Sequence, residues 1–365
     1  MREQPVQLQS RRERYPVISV KERELMSKRE TTVLFIWQPQ KRLQQYLKNG
    51  VGDLPVTLVF PPDTAEKTFV NLAPEADIVV GWRPTKNFLQ VAERLSLFIN
   101  PGAGVQHLIH LFREINQTKP ITLVNGHGNS YFTAQHAVAL LLTLANKVIP
   151  HHNWMTEGKW RKGDVDAISI PLRHREVGLL GYGHVNQKVH RFLSGFDVKF
   201  SAIRRDWSKQ TEPLPTPTKK YEYSELHPFL EDVDTVISAV PLTSVTEGLI
   251  KRKELEFLGS HGLLVNVGRG PVIDEYSLYT ALEETVILGA AIDVWYNYSP
   301  VPDEKGRKYP FQYPFHTLEN VVLSPHRAAS PLSDLKRWDE VIENIRRFAQ
   351  GENTFVNTVD LHQEY

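Results

Sequence analysis

The chain has 365 residues, more than one ordinary hydrophobic core accommodates, so two domains are expected. With 41% hydrophobic and 23% charged residues it reads as a soluble globular protein, and a net charge of +1 argues against a dedicated nucleic-acid binder. The lack of cysteine excludes disulfides, thiolate metal sites and a thiol nucleophile, and it fits a cytoplasmic protein.

Residues 1–30 are polar, mix both charges and lack the apolar segment of a signal peptide. They are expected to form a poorly ordered extension, with Met26 an alternative start. The longest apolar run, AVALLLTLA at 137–145, falls well short of the roughly 18 residues a membrane span requires.

From there, short strand-like runs alternate with helical patterns, the signature of parallel α/β sheets. The first group is Val33–Trp37, Val56–Phe60, Asp77–Trp82, Leu97–Asn100 and Thr122–Asn125. A helix over Thr133–Val148, apolar on nearly every face, predicts burial in the core or against a second subunit. The second group is Val177–Leu180, Val198–Ile203, Thr235–Val240, Leu263–Val267, Ile287–Ile292 and Val321–Ser324.

The carboxyl ends of the second group are where an open parallel sheet binds its ligand. They carry Gly181-Tyr182-Gly183, Arg204-Arg205, Val240-Pro241, Gly268-Arg269, Asp293 and Pro325-His326. Gly181-x-Gly183 follows a strand and opens a helix at His184 and Val185, the context of a dinucleotide pyrophosphate turn. Asn186 replaces the third glycine, which implies a slightly displaced helix rather than a lost phosphate site. The ribose-reading position lies about 20 residues further on. Arg204 stands there, 21 after Gly183. A guanidinium fork matches phosphate, so Arg204 and Arg205 favour the 2′-phosphate of NADP(H). The alternative is NAD(H), with Asp206 accepting from the ribose hydroxyl and the arginines solvated.

VNVGRGPVID (265–274), GAAIDVW (289–295), VPLTSVTEGLI (240–250) and LSPHRAAS (323–330) together resemble the D-isomer-specific 2-hydroxyacid dehydrogenases. GAGVQHL (102–108) and the AQH helix (134–136) extend the likeness over about residues 75–330. The resemblance implies two Rossmann/flavodoxin-like α/β domains with parallel sheets, the cofactor domain inserted into the substrate domain. The substrate domain is then 31–146 plus 331–365, and the NAD(P)-binding domain is 147–330, with Val267 and Gly268 among the residues holding the nucleotide. It implies Arg269 as the anchor of a small 2-oxo acid, His326 as acid/base, Ala103 and Gly104 as amide donors to the same carboxylate, and Asp293 near the nicotinamide. It also implies a homodimer.

One departure concerns the glutamate that the family usually places five residues after the aspartate, bonded to the histidine. Here that residue is Tyr298, with no acid before Asp303 and Glu304. His326 is therefore expected to titrate lower than in its relatives, unless Asp303 or Glu304 folds back. The reading is a glyoxylate/hydroxypyruvate reductase-like activity. A formate dehydrogenase-like enzyme is the second reading, because Asn129 stands seven residues before His136 and DVW matches that group. A non-catalytic NADP(H) sensor is the third. Asn129 is either a turn residue or a substrate contact. Trp82 and Arg83 line a cleft, or are a core residue and a solvated one. His127, His151 and His152 lack partners at metal-ligand spacing and read as surface or interface residues.

Overall fold

A computed structural model describes residues 30–162, 165–210 and 212–365. The expectation for the extension therefore lies outside the described residues, apart from Glu30. Two sheets organise the chain. The first has strands β1 (Thr31–Phe35), β2 (Val56–Val59), β3 (Ile78–Val80), β4 (Leu97–Asn100) and β5 (Thr122–Asn125), in the order β2-β1-β3-β4-β5. The second comprises β6 (Glu176–Leu180), β7 (Lys199–Ile203), β8 (Thr218–Tyr221), β9 (Thr235–Ser238), β10 (Leu263–Asn266), β11 (Gly289–Ile292) and β12 (Val321–Leu323). Its order is β12-β11-β10-β9-β6-β7-β8. Every pairing in both sheets is parallel.

The first order is flavodoxin-like, and the second is the doubly wound dinucleotide order with one strand added beyond β11. The second sheet changes direction between β6 and β9, so its crevice opens beyond Leu180 and Ser238. β3, β4, β9, β10 and β11 are buried at every position, which is why they read as continuous apolar runs rather than alternating ones. β8 is the strand absent from the expected set. TKKY presents lysines to solvent on a sheet edge and carries no apolar run to betray it.

The buried helix spans Ser130–Ala145, starting and ending three residues earlier than its hydrophobic pattern predicts. Lys147 adopts a left-handed conformation (φ 52°), and the chain resumes as Val148–Thr156 at 64° to the first segment. Ala134, Ala137, Leu141 and Leu144 pack into the same apolar cluster as Val177, Val265 and Ala291 of the second sheet. Among the described residues no single helix is long and apolar enough to cross a membrane. After β12 the chain returns to the first sheet. Val341 and Ile345 of the helix Asp339–Ala349 join the cluster of Val33, Leu47 and Ile99, and Thr358 forms an antiparallel bridge with Val124.

His190, on the helix His184–Leu193, is fully buried and held neutral between Tyr182 Oη (2.9 Å from Nδ1) and Thr216 Oγ1 (2.7 Å from Nε2). Burial pushes its pKa down to about 4. Below an unfolded pKa near 6.5 the unfolded chain takes up a proton that the folded chain refuses, so stability is full above that pH and drains away towards pH 4. Between pH 7 and pH 5 this histidine alone is expected to cost about 2 kcal/mol. Urea unfolding at the two pH values checks it. Equal midpoints, or a His190→Gln variant with an undiminished difference, contradict it.

Candidate active site

Because all strands run parallel, their carboxyl ends face one cleft of about 1060 Å³, walled by loops from both sheets. The first sheet contributes the loops after β3, β4 and β5, and the second those after β6, β7, β9, β10, β11 and β12.

The glycine turn is built as the motif requires. Gly181 has φ 84°, and a Cβ there would lie 2.5 Å from Val240 Cγ1. A Cβ on Gly183 would meet no protein atom within 4 Å, so the space before the helix at His184 and Val185 is open to a group that approaches the backbone closely. This cradle fits a dinucleotide pyrophosphate. Asn186 plays a part that the glycine pattern does not reveal. It is fully buried, and its Nδ2 donates to the carbonyls of Leu180 (3.1 Å), Gly181 (3.1 Å) and Ile237 (3.0 Å), tying helix, turn and both strands of the crevice together.

Beyond β7, Arg204 is half-buried and donates to Gln210 Oε1, while Arg205 is exposed. Asp206 Oδ1 is occupied by the amide (2.9 Å) and hydroxyl (2.6 Å) of Ser208, capping the short turn Trp207–Lys209. Arg204, Arg205 and Lys209 all line the cleft. Val240 and Pro241 close its floor beside Val267 and Gly268.

Arg269 is aimed by its own turn. Asn266 Oδ1 accepts from the Gly268 amide (3.1 Å), its Nδ2 donates to the Arg269 carbonyl (3.1 Å), and Arg269 Nη1 donates to the Gly268 carbonyl (2.7 Å). The guanidinium then crosses to the first sheet. A Cβ on Gly104 would sit 2.0 Å from Arg269 Nη2, so glycine at 104 is what admits the arginine. The Ala103–Gly104 turn is itself fixed by Asn125 Nδ2 to the Ala103 carbonyl (2.8 Å) and Asn100 Nδ2 to the Gly104 carbonyl (3.3 Å). No described residue accepts from the amides of Ala103 or Gly104. The guanidinium thus lies against a turn whose two amides have no acceptor among the described residues, an arrangement chemically suited to a carboxylate.

His326 (φ 55°) stands on the loop after β12. Asp293, fully buried, holds that loop: Oδ1 accepts from the Arg327 amide (2.7 Å) and from Ser324 Oγ, and Oδ2 from the Ala328 amide (3.0 Å). Burial works to raise the Asp293 pKa, but bonds from His136, Ser324 and the two amides outweigh it and hold the group below its usual value. Tyr298 Oη lies 2.7 Å from His326 Nδ1 and accepts from the Trp295 amide (3.2 Å). So a phenol occupies the glutamate's place. Asp303 does not reach back; it pairs with Arg307 at 2.7 Å within its own loop. Burial lowers the His326 pKa below 6.5, with Asp293 opposing and the charges of Arg269 and Arg327 adding to the fall.

One expectation needs revision. His127 is not a surface residue. It is buried, stacks on His184 at 4.1 Å across the boundary between the sheets, and burial pushes its pKa down to about 3. Trp82 lines the cleft and packs on Trp37 (4.8 Å), but it is exposed and joins none of the core clusters among the described residues, so the cleft reading holds and the core reading does not. Asn129 lines the cleft at the start of the helix Ser130–Ala145, its carbonyl accepting from Thr133 (3.1 Å). Asn100, Asn125 and Asn266 hold the turns that carry Ala103, Gly104 and Arg269, and sequence reasoning missed them. The signal was present: each is the polar residue at the carboxyl end of a mostly apolar strand.

Residues 138–328, more than half of the chain, match the family model for the NAD binding domain of the D-isomer specific 2-hydroxyacid dehydrogenases. The chain belongs to this family. It is 33% identical over 227 residues to a glyoxylate reductase of Korarchaeum cryptofilum, a stretch covering 60% of this chain and 63% of that enzyme. It is 28% identical over 276 residues to a glyoxylate/hydroxypyruvate reductase of Arabidopsis thaliana, covering 75% and 79% respectively. The match thus spans under two thirds of the first of these relatives. Among solved structures, the fold resembles that of a D-isomer specific 2-hydroxyacid dehydrogenase from Xanthobacter autotrophicus bound to NADPH, with a TM-score of 0.73, 23% identity and coverage of 92% of this chain and 100% of that one. An NADPH-dependent glyoxylate/hydroxypyruvate reductase from Sinorhizobium meliloti gives a TM-score of 0.69 at 23% identity, covering 91% and 98%.

Proposed function

We propose that the chain reduces a small 2-oxo acid of the glyoxylate or hydroxypyruvate class to its D-2-hydroxy acid, with NADPH as the preferred coenzyme. The observation that carries this reading is the convergence of Arg269, the free Ala103 and Gly104 amides and the Tyr298-held His326 on the cleft that also contains the glycine turn. Arg269 and the two amides grip the carboxylate and fix the plane of the adjacent carbonyl. His326 Nε2 delivers a proton to the carbonyl oxygen as negative charge develops there. When bound, the reduced nicotinamide supplies the hydride. The walls from the two sheets exclude water around the carbonyl and strengthen every charge interaction in the site. The two sheet-centred halves act as a substrate domain and a cofactor domain in this scheme.

The test is NADPH and NADH oxidation against a panel of 2-oxo acids, beside direct measurement of coenzyme binding. NADPH binding with no acid turned over would make the protein a nucleotide sensor, and turnover of formate alone would replace the substrate class.

The coenzyme preference rests on Arg204 and on Asp206 being engaged with Ser208. A charge-assisted hydrogen bond is worth about 1.5–3 kcal/mol, so Arg204→Ser is expected to raise KM for NADPH by roughly 10- to 100-fold and leave KM for NADH nearly unchanged. Equal losses for both coenzymes would remove the 2′-phosphate assignment.

A further inference from the structure

The segment that follows the helix Asp339–Ala349 does more than complete the first sheet. The Val359 amide donates to the Leu123 carbonyl (2.9 Å) and the Val359 side chain is buried. The Asp360 carboxylate then accepts from the amides of His362 (2.9 Å) and Gln363 (3.0 Å), turning the chain. Arg113, on a helix of the first sheet, donates through Nε to the Leu361 carbonyl (2.9 Å) and pairs through Nη2 with Glu364 Oε1 at 3.1 Å. The second Glu364 oxygen accepts the amide of Ser244 (2.6 Å), in the loop after β9 of the other sheet. One carboxylate is bonded to both halves of the molecule.

This clasp delivers Tyr365 into the cleft. Its Oη lies 3.2 Å from His127 Nε2, its ring meets the His127 ring edge-on at 5.8 Å, and it lines the cleft together with Asn125. Burial pushes the phenol up to about 12, so it stays a neutral donor at ordinary pH, and the Arg269 charge acts on it directly. Asn125 is the residue that also fixes the Ala103 carbonyl. Tyr365 therefore lines the same cleft as Arg269 and the Ala103–Gly104 turn. Among the described residues it belongs to none of the apolar core clusters, so its position answers to the cleft rather than to the core.

We infer that Tyr365, held by the Glu364 clasp, is a specificity-determining residue that caps the substrate end of the cleft and admits only 2-oxo acids with small side chains. The inference rests on the reading of the cleft as a 2-oxo acid site and deepens it. The ring is held by its bond to His127, and the Glu364 clasp keeps the segment that carries it from moving back, so the ring leaves the cleft only by breaking the His127 bond or the Glu364 bonds to Arg113 and Ser244. A bulky acid must displace the ring, whereas glyoxylate or hydroxypyruvate fits beneath it.

The experiment compares wild type, Tyr365→Ala, Tyr365→Phe and Glu364→Gln. The kcat/KM ratio of phenylpyruvate to glyoxylate is measured with NADPH. Calorimetric binding of phenylpyruvate and of oxamate to the NADPH-saturated protein gives a second ratio that needs no turnover. Tyr365→Ala is expected to raise both ratios at least about 10-fold, in line with what pocket volume alone discriminates. Tyr365→Phe keeps the ring and the wild-type ratios, and Glu364→Gln raises them by less than Tyr365→Ala. Unchanged ratios in Tyr365→Ala overturn the inference. So does tighter NADPH binding with unchanged ratios, which would make the ring a plug of the coenzyme site. If the acids bind but NADPH is never oxidised, the reductase reading falls while the binding ratio still decides the role of Tyr365.

Discussion

Arg269→Gln lowers kcat/KM for a 2-oxo acid by roughly 10²- to 10³-fold, with most of the loss in KM, because it removes the cation of a desolvated carboxylate pair, worth about 2–5 kcal/mol. Steady-state kinetics and coenzyme binding measured together check this, and NADPH affinity is expected to survive. The amides of Ala103 and Gly104 remain after the substitution, so some binding persists. Arg269→Lys keeps the charge but loses the fork, and a point charge cannot hold the plane of the acid; it is expected to recover only part of the activity. Gly104→Ala tests the same contact from the other side, since its methyl would lie 2.0 Å from Arg269 Nη2 and must push the guanidinium aside. An Arg269→Gln enzyme with unchanged KM would mean that the acid binds elsewhere in the cleft.

That the arginine could be found before any coordinates follows from how the sheet works. In a doubly wound sheet the central strands are apolar throughout and all strands run one way, so the residues just past their ends fall on one edge whatever the loops do. Gly181, Arg204, Val240, Gly268, Asp293 and His326 were legible for that reason. Residues whose role depends on a partner distant in sequence were not. His127 read as a surface or interface histidine because nothing near it in the chain signals His184, on which it stacks. Tyr365 lies 238 residues from the His127 it bonds, and no local pattern in VDLHQEY announces a return to the cleft. β8 escaped because an exposed edge strand has no apolar face to record. Asn186 was read by what it lacks as a non-glycine, whereas its amide supplies three bonds in a space that glycine would leave to backbone packing.

Removing the imidazole in His326→Gln is expected to lower kcat by about 10²- to 10⁴-fold, the usual contribution of a positioned acid, with substrate KM little changed. The pH profile is the sharper measurement, and its sign follows from Tyr298. A carboxylate beside an imidazole favours the cation; a hydroxyl does not, because it can donate to neutral Nδ1 or accept from Nδ1–H with equal ease. Tyr298 thus fixes the ring without charging it, and burial and the Arg269 charge set the direction, downward. Reduction needs the protonated ring, so its rate falls as pH rises through a value below 6.5. Tyr298→Glu places a negative charge next to the ring and is expected to move that fall upward by about 1–3 pH units, the range for an opposite charge at contact distance. Tyr298→Phe leaves the ring without its 2.7 Å partner and is expected to reduce kcat without moving the profile upward. If the glutamate variant titrates where the wild type does, the proton comes from a group other than His326.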